Sequence, residues 1–177
     1  MFFIPGFLIA LVTFPGVIVH EMAHQLFCKW QHVAVFNVCY FRLGNPAGYV
    51  IHEIPRRTSQ SILIGIGPFI VNSLLGALIA FPAAIPVMKF GSADPLDYFL
   101  VWLGISIAMH AFPSIGDAKS IWAAGSGDGV SIVTKIIAFP IVGLIYIGAF
   151  GSMVWLDAGY GFVVAMLLPN ALMSLLA

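Results

Sequence analysis

Residues 17–28 read VIVHEMAHQLFC and place His20, Glu21 and His24 inside an apolar run that extends from about residue 3 to residue 28. A run of this length predicts a membrane-spanning helix. On a helix, residues four apart lie on one face, so the two imidazoles can bind one metal ion from the same side. The glutamate next to the first histidine can then act as general base toward a water molecule. This H-E-x-x-H spacing therefore indicates a metal site with its own base.

The two histidines also permit a plainer interpretation, in which they form hydrogen bonds within a helical bundle. Ionisable side chains inside a bilayer cost about 2.5–3.5 kcal/mol each near the centre of a helix, so they are found mainly where they have a function. A metal site is therefore the favoured interpretation, and it requires a third ligand.

The composition is that of a polytopic membrane protein. Of the 177 residues, 61% are hydrophobic and 8% are charged, whereas a soluble domain has about 25% charged residues. A chain of this length has room for about five spans, so we expect a single membrane-embedded domain over residues 1–177. The formal net charge is zero, which provides no electrostatic basis for binding nucleic acid.

Five apolar runs predict membrane helices, and they are separated by turn signals and charged residues. The predicted spans cover residues 3–28, 61–84, 96–112, 130–156 and 162–177. Between the first two, residues 33–54 are rich in β-favouring side chains on both sides of a turn signal, Leu43-Gly44-Asn45-Pro46. We therefore expect an all-α polytopic membrane protein with a small β-hairpin at the membrane interface after the first helix.

A third ligand is available in the polar segment that follows the third predicted span. Asp117 comes after Pro113 and Gly116, where a backbone turn could aim its carboxylate toward the histidines. It could instead act as the N-cap of a short helix over residues 118–124. Beside an H-E-x-x-H motif, we favour Asp117 as the third metal ligand.

Two further polar residues, His110 and Asn72, lie in the third and second predicted spans. If a metal-bound water attacks a carbonyl group, the resulting oxyanion needs a hydrogen-bond donor besides the metal. His110 is the first candidate for this donor and Asn72 is the second. Each residue also has a structural interpretation. His110 could form a structural hydrogen bond or orient a ligand, and Asn72 could form an ordinary interhelical hydrogen bond.

Basic residues are distributed unequally between the two sides of the predicted bundle. With five spans, six lysines and arginines fall on one side, and Lys89 alone falls on the other. Such an excess marks the cytoplasmic side of a membrane protein. It predicts that the N-terminus lies outside and that the active site, formed near the ends of the first and third spans, lies near the cytoplasmic surface.

In these features the chain resembles the site-2 protease family of intramembrane zinc metalloproteases. The shared features are the H-E-x-x-H motif in a membrane helix, the β-rich segment directly after it, Gly67-Pro68 followed by Asn72, and Pro113 leading to Asp117. His110 stands where the family has an asparagine. The resemblance covers roughly residues 3–124.

The resemblance implies a zinc-dependent protease that cleaves membrane-protein or peptide substrates within or beside the bilayer. His20, His24 and Asp117 would bind Zn²⁺, and Glu21 would act as general base. The hairpin could supply an edge on which an extended substrate adds as a strand. Two alternatives are a membrane protein that binds or transports metal without hydrolysis and a non-catalytic factor with a relict site.

Overall fold

The computed structural model of the protein describes residues 6–127 and 129–176. The predicted start of the first span at residue 3 and the predicted end of the fifth at residue 177 lie outside these residues. The described chain is mostly helical, with one small sheet. The elements are α1 (Gly6–Val12), α2 (Phe14–Trp30), β1 (Val35–Cys39), β2 (Tyr49–His52), α3 (Thr58–Ile85), α4 (Pro95–Met109), α5 (Ile115–Ser126), α6 (Ile132–Gly151), α7 (Leu156–Phe162) and α8 (Leu168–Leu176).

Three helical segments are long and apolar enough to cross a membrane, namely Thr58–Phe90, Ile132–Val154 and Leu156–Leu175. A fourth span is formed if α1 and α2 count as one, although the two helices meet at an angle of 89°. The third predicted span, 96–112, corresponds to α4, which is apolar but has only 15 residues. The helical multi-span architecture is confirmed, whereas the count of five spans is not.

α4 ends at Met109, close to the predicted end of the third span at residue 112, and α5 follows after a short break. Gly76 of α3 packs against Gly104 of α4, and the Thr58 hydroxyl at the start of α3 donates a hydrogen bond to the Ala124 carbonyl of α5 (2.7 Å). The two helices therefore run antiparallel to α3, one after the other. Pro113 lies in the break between them, where its missing N–H prevents a continuous helix.

A second break lies close to the first one. The start of α6 packs on α5, and its last turn reaches the α4–α5 break, where Gly148 lies against the Phe112 ring. The chain then turns at Trp155, which has a left-handed φ of 65°, and α7 packs Gly161 against Met109. The breaks before α5 and before α7 are therefore neighbours.

The predicted β-hairpin is confirmed, with β1 and β2 paired antiparallel. The sheet has two strands only, so each has one edge without a strand partner in the described chain. Its surface is apolar: Phe36, Leu43 and Ile54 are 69%, 70% and 87% exposed. These side chains support the predicted position at a membrane interface, which stays a prediction.

Candidate metal and catalytic site

The structure brings the three predicted metal ligands together. The Nε2 atoms of His20 and His24 lie 3.2 Å apart, and Nε2 of His24 lies 3.6 Å from Oδ1 of Asp117. Ligand atoms of all three residues are within 4.8 Å of one another. Two of these residues are a turn apart on α2, whereas the aspartate comes from the first turn of α5.

Both imidazoles are held by hydrogen bonds to main-chain carbonyls of other segments. Nδ1 of His20 donates to the His110 carbonyl (2.7 Å), and Nδ1 of His24 donates to the Ile64 carbonyl (3.0 Å). Because a carbonyl oxygen can only accept, each Nδ1 carries the hydrogen and each Nε2 presents a lone pair. This is the tautomer that metal-binding histidines adopt when a carbonyl orients them.

The two Nε2 atoms face each other, so two neutral rings would point their lone pairs at one another. A second proton on one ring would relieve the repulsion through an N–H···N hydrogen bond, and so would a cation between the rings. Ligand atoms of a tetrahedral zinc ion lie about 3.3–3.6 Å apart, close to the observed 3.2 and 3.6 Å. The donor set therefore fits a divalent metal ion with a position left for a further ligand.

Asp117 uses its two carboxylate oxygens for different purposes. Oδ1 faces His24, while Oδ2 accepts hydrogen bonds from the Ser114 backbone N–H (2.8 Å) and hydroxyl (2.6 Å). Ser114 is the N-cap of α5 and Asp117 is its third helical residue, so the two form a capping box. The alternative of Asp117 as an N-cap is wrong, and the cap in fact orients the candidate ligand.

Glu21 lies in the same pocket as the three candidate ligands. This pocket has a volume of about 350 Å³ and is also lined by Tyr49, Val50 and His52 of the hairpin. The glutamate is 8% exposed. Gly48 allows the hairpin to lie directly over it, because a Cβ at that position would be 2.6 Å from Cγ of Glu21. The hairpin thus shields the carboxylate that could serve as base.

His110 contacts the site through its backbone. Its carbonyl supports His20, whereas its ring Nε2 lies 2.7 Å from the Thr13 hydroxyl. That hydroxyl donates its one hydrogen to the Ile9 carbonyl (2.6 Å), so the imidazole must be the donor. Nε2 of His110 is therefore engaged at the bend between α1 and α2, and the structural interpretation of this residue describes the observed contacts.

Asn72 is fully buried and does not line the pocket that holds Glu21. Its amide nitrogen donates its two hydrogens to three carbonyls, those of Gly16 (3.1 Å), Ile107 (3.0 Å) and His110 (3.3 Å), so one hydrogen is shared between two acceptors. These bonds join α2, α3 and α4, and one of them ends on the carbonyl that supports His20. The interhelical hydrogen bond considered from the sequence is therefore present.

Several groups at the site were not found by reasoning from the sequence. The carbonyls of Ile64 and His110 carry no sequence signal, because every residue has one. Ser114 had a recognisable signal, since Ser-x-x-Asp is a capping-box pattern. Gly48 lies within the predicted hairpin, but its closeness to Glu21 depends on how the hairpin folds back over α2.

Comparisons with protein-family models, with curated proteins and with solved structures found no match for this chain. The chemistry of the site must therefore be argued from its own residues. Two imidazole nitrogens and a carboxylate oxygen can hold a divalent ion, and a second carboxylate in the same pocket can accept a proton.

Proposed function

We propose that the protein is an intramembrane zinc metalloprotease, similar to the site-2 proteases, that hydrolyses peptide bonds within or next to membrane-spanning segments. One observation carries the proposal. Two histidines with oriented Nε2 atoms, one aspartate and one free glutamate share a pocket inside a bundle of apolar helices. A structural histidine pair and the helix cap together would explain neither why Oδ1 of Asp117 faces His24 nor why Glu21 lies in the same pocket.

The chain's own residues account for the hydrolytic chemistry. His20, His24 and Asp117 would hold Zn²⁺, which supplies Lewis-acid polarisation of the carbonyl and acidification of water when bound. Glu21 takes a proton from the attacking water and later donates it to the leaving amine nitrogen, as the C–N bond breaks. The capping box and the two carbonyl contacts keep the ligands oriented throughout.

The hairpin supports a peptide as the substrate. Tyr49, Val50 and His52 of β2 line the pocket beside Glu21, and the sheet has only two strands. An extended peptide could add to such an edge and present its carbonyl carbon to the base. A membrane helix would have to unwind locally before it could bind in this way.

The distribution of charge supports an active site close to the cytoplasmic side. The end of α2, the start of α3 and the end of α5 lie at the same end of the bundle, as the Gln60–Gln31 (3.0 Å) and Thr58–Ala124 (2.7 Å) hydrogen bonds require. The basic residues at this end are Lys29, Arg56, Arg57, Lys119 and Lys135. An N-terminus on the outside follows if α1 and α2 form one span.

The decisive test is Glu21→Gln in protein purified with its metal. We expect unchanged metal content, with zinc identified by elemental analysis, and loss of cleavage of a membrane-spanning substrate by at least about a thousandfold, because the proton acceptor is gone. The chain's other glutamate supplies the control, since Glu53→Gln should retain cleavage. Full cleavage by Glu21→Gln would refute the mechanism. Zinc uptake into proteoliposomes without any cleavage by the wild type would favour a transporter.

A further inference from the structure

A second cavity adjoins the first one at His20 and Glu21. It has a volume of about 230 Å³ and shares both residues with the first pocket. From there it extends to Ser152 and Asp157 at the break between α6 and α7. The two neighbouring helix breaks thus open a space that leads directly away from the candidate base.

Two carboxylates, Glu21 and Asp157, line this cavity together with the imidazoles of His20 and His110, which already make the hydrogen bonds described above. No lysine or arginine is among its lining residues in the described chain. Oδ1 of Asp157 accepts the backbone N–H of Ala158 (2.8 Å). No ion pair involves Asp157 within residues 6–127 and 129–176. A half-buried carboxylate among apolar helices favours a cationic partner, and the described chain supplies only the Ala158 N–H.

The remaining wall of the cavity is mainly apolar, with contributions from Val17, Met109 and Phe112. An apolar passage that ends at a carboxylate suits an aliphatic chain with a positive charge at its tip. Lysine has this shape, and arginine has it with a planar head. A purely apolar side chain would leave the Asp157 carboxylate desolvated without compensation.

We propose that this cavity is a subsite for a cationic side chain, lysine or arginine, next to the scissile bond of the substrate, and that Asp157 determines this specificity. The inference rests on the proposed protease function, because the cavity is a subsite only if the neighbouring pocket receives a peptide. The α6–α7 break then has a function, which is to bring a carboxylate to the depth of the metal ligands.

Asp157→Asn tests the subsite with little risk to the fold, because the asparagine oxygen can still accept the Ala158 N–H. Asp97→Asn is the matched control, since Asp97 is also half-buried in the first turn of a helix, but in α4 and away from the cavity. Substrates that differ only by lysine or methionine beside the scissile bond are compared by kcat/KM. We expect the lysine-to-methionine ratio to fall about tenfold or more in Asp157→Asn and to stay at the wild-type value in Asp97→Asn.

A second measurement separates this inference from the protease function. Peptides in which a ketomethylene group replaces the scissile amide cannot be hydrolysed, and their affinities are measured by fluorescence anisotropy. Tighter binding of the lysine peptide by the wild type, lost in Asp157→Asn, supports the subsite even if no substrate is cleaved. Equal binding of both peptides by the wild type, no binding of either, or an unchanged preference in Asp157→Asn overturns it.

Discussion

In each histidine of the motif, one ring nitrogen holds the side chain in place and the other is available to a metal ion. Nδ1 of His20 and of His24 is held by a carbonyl of another segment, and this leaves both Nε2 atoms facing Asp117. The aspartate is divided in the same way, with one oxygen in the helix cap and one toward the histidines. The same side chains therefore join helices and form the candidate metal site.

Replacement of Asp117 by alanine separates the ligand from the cap. We expect zinc affinity, measured by competition with a chelating dye, to fall by more than about 100-fold. Loss of a residue that only orients a ligand costs up to about 100-fold, and loss of the ligand itself should cost more. Asp97 is the matched control, because it forms an equivalent capping box with Asp94 at α4. Asp97→Ala should lose about 1 kcal/mol of stability and no zinc affinity. Wild-type zinc binding by Asp117→Ala would exclude it as a ligand.

Asn72 is expected to affect the metal site indirectly. Asn72→Leu removes the donor shared by three carbonyls, one of which supports His20, so we expect a loss of about 1–3 kcal/mol in stability together with weaker zinc binding. Asn170 is a comparable buried amide that donates to the Ala84 (3.2 Å) and Met166 (2.9 Å) carbonyls, far along the chain from the site. Asn170→Leu should lower the unfolding midpoint and leave the zinc affinity unchanged. Equal zinc affinity in both variants would remove Asn72 from a positioning role.

At the scale of the elements, the site depends on two interruptions of regular structure and on a covering hairpin. α5 begins after the break at Pro113, so Asp117 lies in its first turn beside His24 of α2. The bend between α1 and α2 brings Thr13 to the His110 ring (2.7 Å). A straight helix at either place would carry these side chains elsewhere.

Close packing of the hairpin on Glu21 can be tested at Gly48. A Cβ at this position would lie 2.6 Å from Cγ and 2.9 Å from Oε1 of Glu21. Gly48→Ala should displace the carboxylate and reduce cleavage about 10- to 100-fold, since a shift of about 1 Å can have this effect. Metal content should stay unchanged. Gly44→Ala in the same hairpin is the control, because its added Cβ meets no atom closer than 3.7 Å. Similar cleavage by both variants would argue against close packing of the hairpin on Glu21.

At the scale of the whole molecule, the candidate ligands connect α2 with α5, and their carbonyl partners add α3 and the end of α4. A metal bound at this point would stabilise the bundle as one unit, because a ligand that binds only the folded state adds about 2.7 kcal/mol at 100 times its Kd. We therefore expect a chelator to lower the thermal unfolding midpoint of the detergent-solubilised protein. Asp117→Ala should show no such metal-dependent shift, and a full shift in that variant would place the stabilising ion elsewhere.

The membrane class, the helical architecture, the hairpin and the spacing of His20 and His24 could be predicted from the sequence. Each of these depends on residues close together in the chain: the apolar content of a run, a turn signal between β-favouring segments, or the one-turn separation on a helix. The count of five spans is not confirmed, because α4 has only 15 residues and α1 meets α2 at an angle of 89°. Only the contacts with α3 show that α5 follows α4 along the same helix.

The sequence by itself determined that an apolar helix carries two histidines and a glutamate with metal-site spacing. Only the tertiary structure decided how these groups are oriented, since the carbonyls of Ile64 and His110 act on them from distant parts of the chain. Tertiary packing also places the His110 ring against Thr13 and Asp157 in the wall of the second cavity. The physical reason is that backbone carbonyls and helix breaks act through packing, and packing partners do not follow from local composition.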